Sequence, residues 1–235
     1  MRRPGNTGGV SHSPRLIPVA EPANPEATVL VLHGGASRED DPAVSPTQLS
    51  VLRMVPIAKR VGRSGRRRLA VYRLLNSTRG WDTRHTPVDD VDWAITQLQE
   101  RTPAGLPIGL VGHSLGGRAA LLAGDRADVR SVVALNPWVY PTDGDLDLSG
   151  RRVLIAHGTD DRVAIPAKSE AAAQNVARTA DLSYVRVAGG KHAMLRRGRT
   201  FERLAAEFTA SCLLDDREPS DLVRQVLAAR APLQL

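Results

Sequence analysis

Short apolar runs and amphipathic segments alternate along most of the chain. The runs are rich in Val, Leu, Ile and Ala, and most lack regular polar alternation, a pattern that is typical of parallel strands covered on both faces. They predict central strands over 28–32, 69–74, 108–111, 129–135, 153–156 and 182–187. Before them, 15–19 contains Pro18 and is predicted to be a short edge strand, because proline is tolerated at a sheet edge.

Segments with helical spacing lie between these runs. After Pro87, for example, Val91, Ile95 and Leu98 fall on one face of a helix. We predict helices over 47–61, 87–102, 116–124, 166–180, 200–214 and 221–230. Pro56 must kink or shorten the first of them. Because strand and helix alternate throughout, the expected fold class is α/β, with a mostly parallel sheet and helices on both faces.

The length of 235 residues suffices for one complete α/β core. We expect a single domain over 15–235, preceded by a disordered tail at 1–14 that is rich in Gly, Pro, Ser and Asn and lacks periodicity. Only 3% of the residues are aromatic, so the core must consist mainly of aliphatic side chains.

The formal net charge of +7 comes almost entirely from arginine. These arginines are spread along the chain, and the local runs at 66–68 and 196–199 have no interleaved aromatic residues on which bases could stack. We therefore expect a solvated basic surface and no specific nucleic-acid partner. A basic nucleic-acid-binding protein is the alternative, and it would be retained on DNA in a strongly salt-dependent way.

Cysteine content and hydropathy bear on the compartment. The chain has one cysteine, Cys212, so it has no internal disulfide, which fits a reducing compartment. The basic N-terminus is not followed by an apolar stretch, and no segment approaches the roughly 18 apolar residues of a membrane span. The sequence predicts a cytoplasmic protein without membrane insertion, and it leaves the oligomeric state open.

Three predicted strands end in residues that together suit nucleophilic catalysis. Gly-His-Ser-Leu-Gly at 112–116 follows the strand at 108–111, in a strand–turn–helix context that exposes the hydroxyl of Ser114. His-Gly-Thr-Asp-Asp at 157–161 and Gly-Gly-Lys-His at 189–192 follow two later strands. A serine needs a base to take its proton, and the base needs an acid to orient it, so these loops contain candidates for all three roles.

With these motifs, and with His-Gly-Gly at 33–35, the chain resembles the α/β-hydrolase superfamily, specifically its small single-domain serine hydrolases, over about 28–212. The resemblance implies that Ser114 is the nucleophile, His192 the general base and Asp161 the acid. Asp160 is the alternative acid. An acid from one strand earlier, among Asp143, Asp145 and Asp147, is a weaker alternative, because these residues lie in a polar segment that is expected at the surface.

The same resemblance implies an oxyanion hole and truncated N-terminal strands. The hole would consist of the backbone N–H groups of Leu115 and Gly35, with Ala36 as the alternative to Gly35. Only 136–152 separates two strands between which relatives often insert a helical cap, so we expect an open site without a cap domain.

The other residues near strand ends have less specific interpretations. Trp81, Trp138 and Tyr140 are candidates for the substrate pocket, although they could equally be core aromatics. His33 and His157 are expected to hydrogen-bond loop backbone, and His113 is expected to pack beneath Ser114; these histidines are not among the candidate catalytic residues. The sequence contains no HxxxH, HExxH or CxxC spacing and no P-loop lysine, so we expect no metal and no cofactor.

The sequence thus predicts a serine hydrolase that cleaves carboxylic esters of a small-molecule acyl substrate through an acyl-serine intermediate. A thioesterase, an amidase or a peptidase could use the same three residues, because all pass through similar tetrahedral intermediates. A non-catalytic binding module with this fold is a further alternative.

Overall fold

A computed structural model describes residues 13–36, 43–216, 218–229 and 231–235. The predicted tail lies outside the described residues, except for residues 13 and 14. An eight-stranded sheet organises the molecule. Its strands are β1 (Arg15–Ala20), β2 (Ala27–Leu32), β3 (Leu69–Leu75), β4 (Ile108–His113), β5 (Val129–Leu135), β6 (Arg152–Gly158), β7 (Asp181–Val187) and β8 (Leu233–Gln234).

The helices cover both faces of this sheet. They are α1 (Leu49–Leu52), α2 (Met54–Ser64), α3 (Thr86–Arg101), α4 (Leu115–Leu122), α5 (Pro166–Val176), α6 (Gly198–Leu213) and α7 (Asp221–Ala228), and a short 3-10 helix spans Pro141–Gly144. In the described part of the chain, no helix combines the length and apolar character needed to cross a membrane.

The strand order is β1-β3-β2-β4-β5-β6-β7-β8. β1 runs antiparallel to β3, and every other neighbouring pair is parallel. The predicted α/β class is therefore correct. All parallel strands end at one edge of the sheet, which brings the loops that follow β2, β4, β6 and β7 to the same side.

Alternating side chains of the buried strands supply two cores. Val29 and Val31 of β2 pack into the layer formed with α2, α6 and α7, whereas Leu30 and Leu32 pack into the layer with α3, α4 and α5. Each layer contains many fully buried aliphatic residues, as expected for a chain with so few aromatic side chains.

Some boundaries differ from the sequence prediction. The helix predicted over 47–61 is divided at Arg53 into α1 and α2, and Pro56 lies in the first turn of α2, where its missing N–H is not needed. The helix predicted to 180 ends at Val176, and the hydroxyl of Thr179 instead donates to the carbonyl of Leu146 at 2.9 Å. β8 was not predicted, because two residues are too few to show a period.

Between β5 and β6, the structure has only the 3-10 helix Pro141–Gly144. No cap domain covers the carboxyl edge of the sheet at this point, as the sequence predicted. Asp143, however, is buried rather than at the surface. Its carboxylate faces Arg118, so the prediction that this segment is uniformly exposed was wrong at this residue.

Candidate active site

Ser114 lies on the tight turn between β4 and α4. Its backbone is strained, with φ 57° and ψ −121°. The turn requires glycine on both sides, since a Cβ at position 112 would lie 2.0 Å from the carbonyl oxygen of Gly116. A Cβ at position 116 would lie 2.6 Å from the carbonyl oxygen of His33. The turn therefore packs directly against the end of β2 and directs the serine side chain outward.

His192 and Asp161 complete a hydrogen-bonded chain with Ser114. The Nε2 atom of His192 lies 3.0 Å from Oγ of Ser114, and its Nδ1 atom lies 2.8 Å from Oδ2 of Asp161. Both distances are within hydrogen-bonding range. Asp160, the alternative acid, is exposed and accepts a hydrogen bond from the hydroxyl of Thr159. The structure thus brings Asp161, and not its neighbour, to the imidazole.

Asp161 is held as a carboxylate by several donors. Its Oδ1 atom accepts hydrogen bonds from the backbone N–H groups of Val163 and Ala164 at 2.8 and 3.0 Å. A second imidazole, that of His157, places Nε2 3.3 Å from the same Oδ2 that His192 contacts. Burial by itself would raise the pKa of Asp161, but the hydrogen bonds from His157 and His192 outweigh it and hold the pKa below its usual range.

The loop with His192 has to cross the sheet, because β7 lies three strands from β4. Asn136, at the end of β5, holds it there. The amide of Asn136 donates to the carbonyl oxygens of Lys191 and His192 at 3.0 and 3.2 Å, and its Oδ1 accepts from the N–H of Gly158 at 2.8 Å. This fully buried residue has a φ of 42° and joins the loops that contribute the imidazole and the carboxylate.

His113 supports the same loop from beneath. Its Nε2–H donates to the carbonyl of His192 at 2.8 Å, and its Nδ1 has no partner among the described residues, so the ring is neutral. Burial, helped by the charge of His192, lowers the pKa of His113 to about 3. His113 therefore packs beside the serine and supports the loop, in agreement with the sequence-based interpretation.

His33 and His157 also hydrogen-bond loop backbone, as expected. In His33, Nδ1 contacts the carbonyl oxygen of Gly34 at 2.7 Å while Nε2 accepts the N–H of Asn76 at 3.2 Å, which fixes a neutral tautomer. Burial lowers the pKa of His33. In His157, Nε2 faces the carbonyl oxygen of Ala164 at 3.1 Å. Its contact with Asp161, however, was not expected from the sequence.

The two residues predicted to form the oxyanion hole lie beside Ser114. Gly35 and Leu115 both line the cleft there, together with Ala36. Within the described residues, the N–H groups of Gly35 and Leu115 have no hydrogen-bond acceptor. That these N–H groups form an oxyanion hole stays a prediction.

The cleft has a volume of about 800 Å³ and contains Ser114 and His192 in its wall. The three predicted pocket aromatics, Trp81, Trp138 and Tyr140, all line it. Trp138 and Tyr140 pack edge to face, with ring centroids 5.3 Å apart. Trp81 also packs against the core layer formed with α3, so both of its predicted environments occur together.

Sequence reasoning missed two arginines in this wall. Arg118 of α4 stacks on Trp81, 4.3 Å from the ring centroid, and donates to Asp143 at 2.9 Å. Its Nε also lies 2.8 Å from the other oxygen of Asp143, although this N–H is not aligned with that oxygen. Arg53, between α1 and α2, is the second. Neither arginine belongs to a motif. Arg118, however, lies one helical turn after Ser114, and this spacing could have indicated that it faces the same side of α4 as the serine.

No protein-family model and no curated protein sequence matches the chain. Solved structures do match. Est1E from Butyrivibrio proteoclasticus, solved with ferulic acid bound, aligns with a TM-score of 0.62 at 15% identity, over 85% of this chain and 95% of that protein. EstE1, a thermostable carboxylesterase cloned from a metagenomic library, aligns with a TM-score of 0.64 at 18% identity, over 86% and 90% of the two chains.

A third similar structure is an α/β serine hydrolase without a lid from Xanthomonas campestris. It aligns with a TM-score of 0.59 at 17% identity, over 82% of this chain and 85% of that protein. At such identities the likeness concerns the fold, which these proteins share with the chain along most of its length.

Proposed function

We propose that this chain, which has the α/β-hydrolase fold, is a serine hydrolase that cleaves carboxylic esters. The observation that carries the proposal is the hydrogen-bonded chain from Ser114 through His192 to Asp161, with distances of 3.0 and 2.8 Å. This arrangement places a base on the nucleophile and an acid on the base, which is the relationship that activates a serine.

In the proposed first half-reaction, Nε2 of His192 takes the proton of Ser114 as Oγ attacks the carbonyl carbon of the ester. The carbonyl oxygen becomes an oxyanion, which accepts hydrogen bonds from the N–H groups of Gly35 and Leu115. Asp161 keeps the Nδ1–H tautomer of His192 and stabilises the imidazolium. The imidazolium then protonates the leaving alkoxide oxygen, so the alcohol departs and an acyl-serine forms.

In the second half-reaction, a water molecule replaces the alcohol. His192 takes one of its protons, and the hydroxide oxygen attacks the acyl carbon to form a second tetrahedral intermediate in the same hole. When this intermediate collapses, the bond to Oγ breaks and Ser114 recovers its proton from the imidazolium. The net reaction converts an ester and water into a carboxylic acid and an alcohol.

The setting of the site supports an apolar acyl or aryl ester as the substrate. The cleft is open and walled by Trp81, Trp138 and Tyr140, so an acyl or aryl group has apolar surface to contact. One structurally similar protein is a serine hydrolase without a lid, which offers a parallel for an open site, and another is a carboxylesterase. Thioester, amide and peptide bonds are the alternatives, and a non-catalytic binding module is the alternative outside enzymes.

Labelling with a fluorophosphonate and hydrolysis of short p-nitrophenyl esters test the proposal together. The wild-type protein should react with both, and Ser114→Ala should react with neither. The adjacent residues Asp160 and Asp161 give a matched pair of variants. Asp161→Asn should lower kcat by about 10⁴-fold. Asp160→Asn should leave kcat within about threefold, because surface substitutions outside a site have small effects.

A wild-type protein that neither labels nor hydrolyses any ester would contradict the assignment and favour a binding module. Equal losses in Asp160→Asn and Asp161→Asn would contradict the choice of acid. Rates on the ester, thioester and anilide of one acyl group decide the bond type. The ester assignment requires the highest kcat/KM on the ester after correction for the intrinsic reactivity of each bond.

A further inference from the structure

Arg53 brings a positive charge to the wall of the cleft. It joins α1 to α2, and its side chain lines the same space as Ser114 and His192. Its Nε is completely buried, with no hydrogen-bond acceptor among the described residues. Among all the described residues, no carboxylate lies within ion-pair distance of its guanidinium.

Arg118, the other arginine of the cleft, has the opposite environment. Arg118 is paired with Asp143 through both of its oxygens and lies against Trp81 and Tyr140. Its charge is therefore balanced within the protein. The difference matters because a partly buried guanidinium loses hydration, and an internal carboxylate is the usual compensation. The guanidinium of Arg53 is partly dehydrated, and no carboxylate among the described residues compensates for the lost hydration.

The charge of Arg53 acts close to the reacting groups. Burial lowers the pKa of Arg53, yet an arginine stays protonated at neutral pH. Its positive charge also contributes to the lowered pKa of His113, the imidazole that packs 5.0 Å from that of His192. An anion in this part of the cleft would thus meet an uncompensated cation next to the proposed catalytic residues.

We propose that Arg53 binds a carboxylate carried by the substrate, so that the esters cleaved at Ser114 are anionic. This inference rests on the proposed function and adds a substrate class to it. A planar guanidinium matches a carboxylate through two parallel N–H donors. The carboxylate belongs either to the acyl part or to the alcohol part of the ester.

Two matched pairs of substrates distinguish these sources. For the acyl part, mono-p-nitrophenyl glutarate is compared with p-nitrophenyl valerate. For the alcohol part, 4-carboxyphenyl acetate is compared with phenyl acetate. In one of the pairs, the wild-type protein should prefer the anionic ester in kcat/KM, after correction for the hydroxide-catalysed rates of the two compounds.

Substitution of Arg53 should remove that preference. Arg53→Gln should lower the ratio of anionic to neutral kcat/KM by about 10- to 100-fold, the range for a hydrogen bond to a charged group. Arg53→Lys should keep part of the ratio. Arg63→Gln is the matched control, because it removes the same charge from an exposed position in α2, the helix that follows Arg53, and should leave the ratio unchanged.

Several results would overturn the inference. One is equal use of both members of each pair by the wild-type protein. Another is a preference that Arg53→Gln and Arg63→Gln change alike, which would indicate the general field of a basic protein. Hydrolysis of the neutral esters in these cases would leave the proposed function intact.

If no ester is cleaved, a binding measurement still decides the inference. Glutarate should quench or shift the fluorescence of the cleft tryptophans at concentrations at which glutaramide, its neutral diamide, has no effect, and Arg53→Gln should abolish the response. Absence of any glutarate response in the wild-type protein would then contradict the carboxylate site independently of catalysis.

Discussion

The two neighbouring carboxylates at 160 and 161 show how strongly a single position decides chemistry. Asp161 is buried, accepts two backbone N–H bonds and faces two imidazoles, whereas Asp160 points to solvent. Because the charged form of Asp161 is stabilised by donors on all sides, it stays ionised without contact with bulk water. A residue in this environment suits the task of orienting His192 at neutral pH.

His157 is the least expected of the donors around Asp161, and it yields the first prediction. Its ring is fully buried, with Nδ1 2.7 Å from the hydroxyl of Ser169 and Nε2 3.3 Å from Asp161. In His157→Asn, we expect kcat for ester hydrolysis to fall by about tenfold, the effect of one charge-assisted hydrogen bond. KM should change little, because His157 does not line the cleft.

The pH–rate profile separates a positioning role from loss of structure. With one donor fewer, Asp161 should hold the imidazolium proton of His192 more tightly, so the acid limb of kcat/KM should move to higher pH. The neighbouring variant Ser169→Ala, which disturbs the same cluster without removing the donor, should show a smaller displacement. An unchanged limb in both variants would contradict this role for His157.

The buried pair of Arg118 and Asp143 yields the second prediction. Both side chains are only 9% exposed. In Arg118→Met, the carboxylate of Asp143 would be left buried and unpaired, which costs about 3–5 kcal/mol of unfolding free energy. In the double variant with Asp143→Asn, the uncompensated charge is gone, while the side-chain oxygen can still accept the N–H of Tyr140.

Urea unfolding should therefore show the double variant to be more stable than Arg118→Met alone, by at least about 1 kcal/mol. A double variant whose loss of unfolding free energy equals the sum of the losses in the two single variants would contradict this. Such additivity would mean that the two charges do not interact.

At this scale, the sequence predicted residues that stand in motifs and missed those that act through tertiary contact. Ser114, Asp161 and His192 stand in motifs whose family resemblance implied their roles, and the structure brings them together, while these roles stay predictions. Asn136 was missed, because nothing in a single Asn-Pro pair shows that its amide reaches a loop 55 residues further along the chain. Arg53 was missed for the same reason.

Among the elements, the unit β4–turn–α4 has the least tolerance for change. Gly116 faces the backbone of Leu32 and His33, and a Cβ there would lie 2.6 Å from both carbonyl oxygens. Backbone atoms of a central strand cannot move aside as the end of a flexible side chain can. The glycine thus sets the distance between α4 and β2, and with it the distance from Ser114 to the N–H of Gly35.

The third prediction compares two alanine substitutions. Gly116→Ala should destabilise the protein by about 3 kcal/mol or more, as overpacking against an immobile backbone does, and should lower activity further. Gly105→Ala is the control, since position 105 has a φ of 76° but nothing within 4 Å of the added Cβ. There the cost should be about 1 kcal/mol, from the backbone conformation alone.

The midpoint of urea unfolding measures both costs. Equal shifts in the two variants would show that the turn can relax, and would contradict the argument that its geometry is fixed by the contact with β2.

Continuous apolar runs made the parallel strands predictable, and proline made the start of α3 and an interruption of the helix predicted over 47–61 predictable. Periodicity could not locate the break at Arg53, because α1 has only four residues. It also could not locate β8, whose pairing with β7 depends on how the C-terminal segment returns to the sheet. Short elements of this kind are determined by the sheet edge that they cover rather than by their own sequence.

For the whole molecule, the order of the strands explains why so many buried polar groups gather at one edge. The imidazole comes from a loop after β7, and the serine follows β4, so the loop must run across the ends of the strands between them. Backbone groups in this crossing find few partners in the sheet itself. Side chains such as Asn136 and His113 supply them, and this makes neutral, buried histidine part of the stability of the fold.

That dependence yields the last prediction, on stability and pH. In the folded state, burial lowers the pKa of His113 from 6.5 to about 3 and also lowers that of His33. Below pH 6.5 the unfolded chain therefore binds protons that the folded chain excludes, so stability falls as the pH decreases toward 3. For His113 alone, the loss between pH 7.5 and pH 5 should be about 2 kcal/mol of unfolding free energy.

Urea unfolding of the wild-type protein and His113→Gln at the two pH values isolates this contribution. The variant is less stable at pH 7.5, since it loses the fitted ring under the loop of His192, but its further loss on acidification should be smaller than that of the wild-type protein by about 2 kcal/mol. Parallel losses in the two proteins would mean that His113 is protonated equally in both states. In that case the neutral ring could not be what holds the loop at the end of β4.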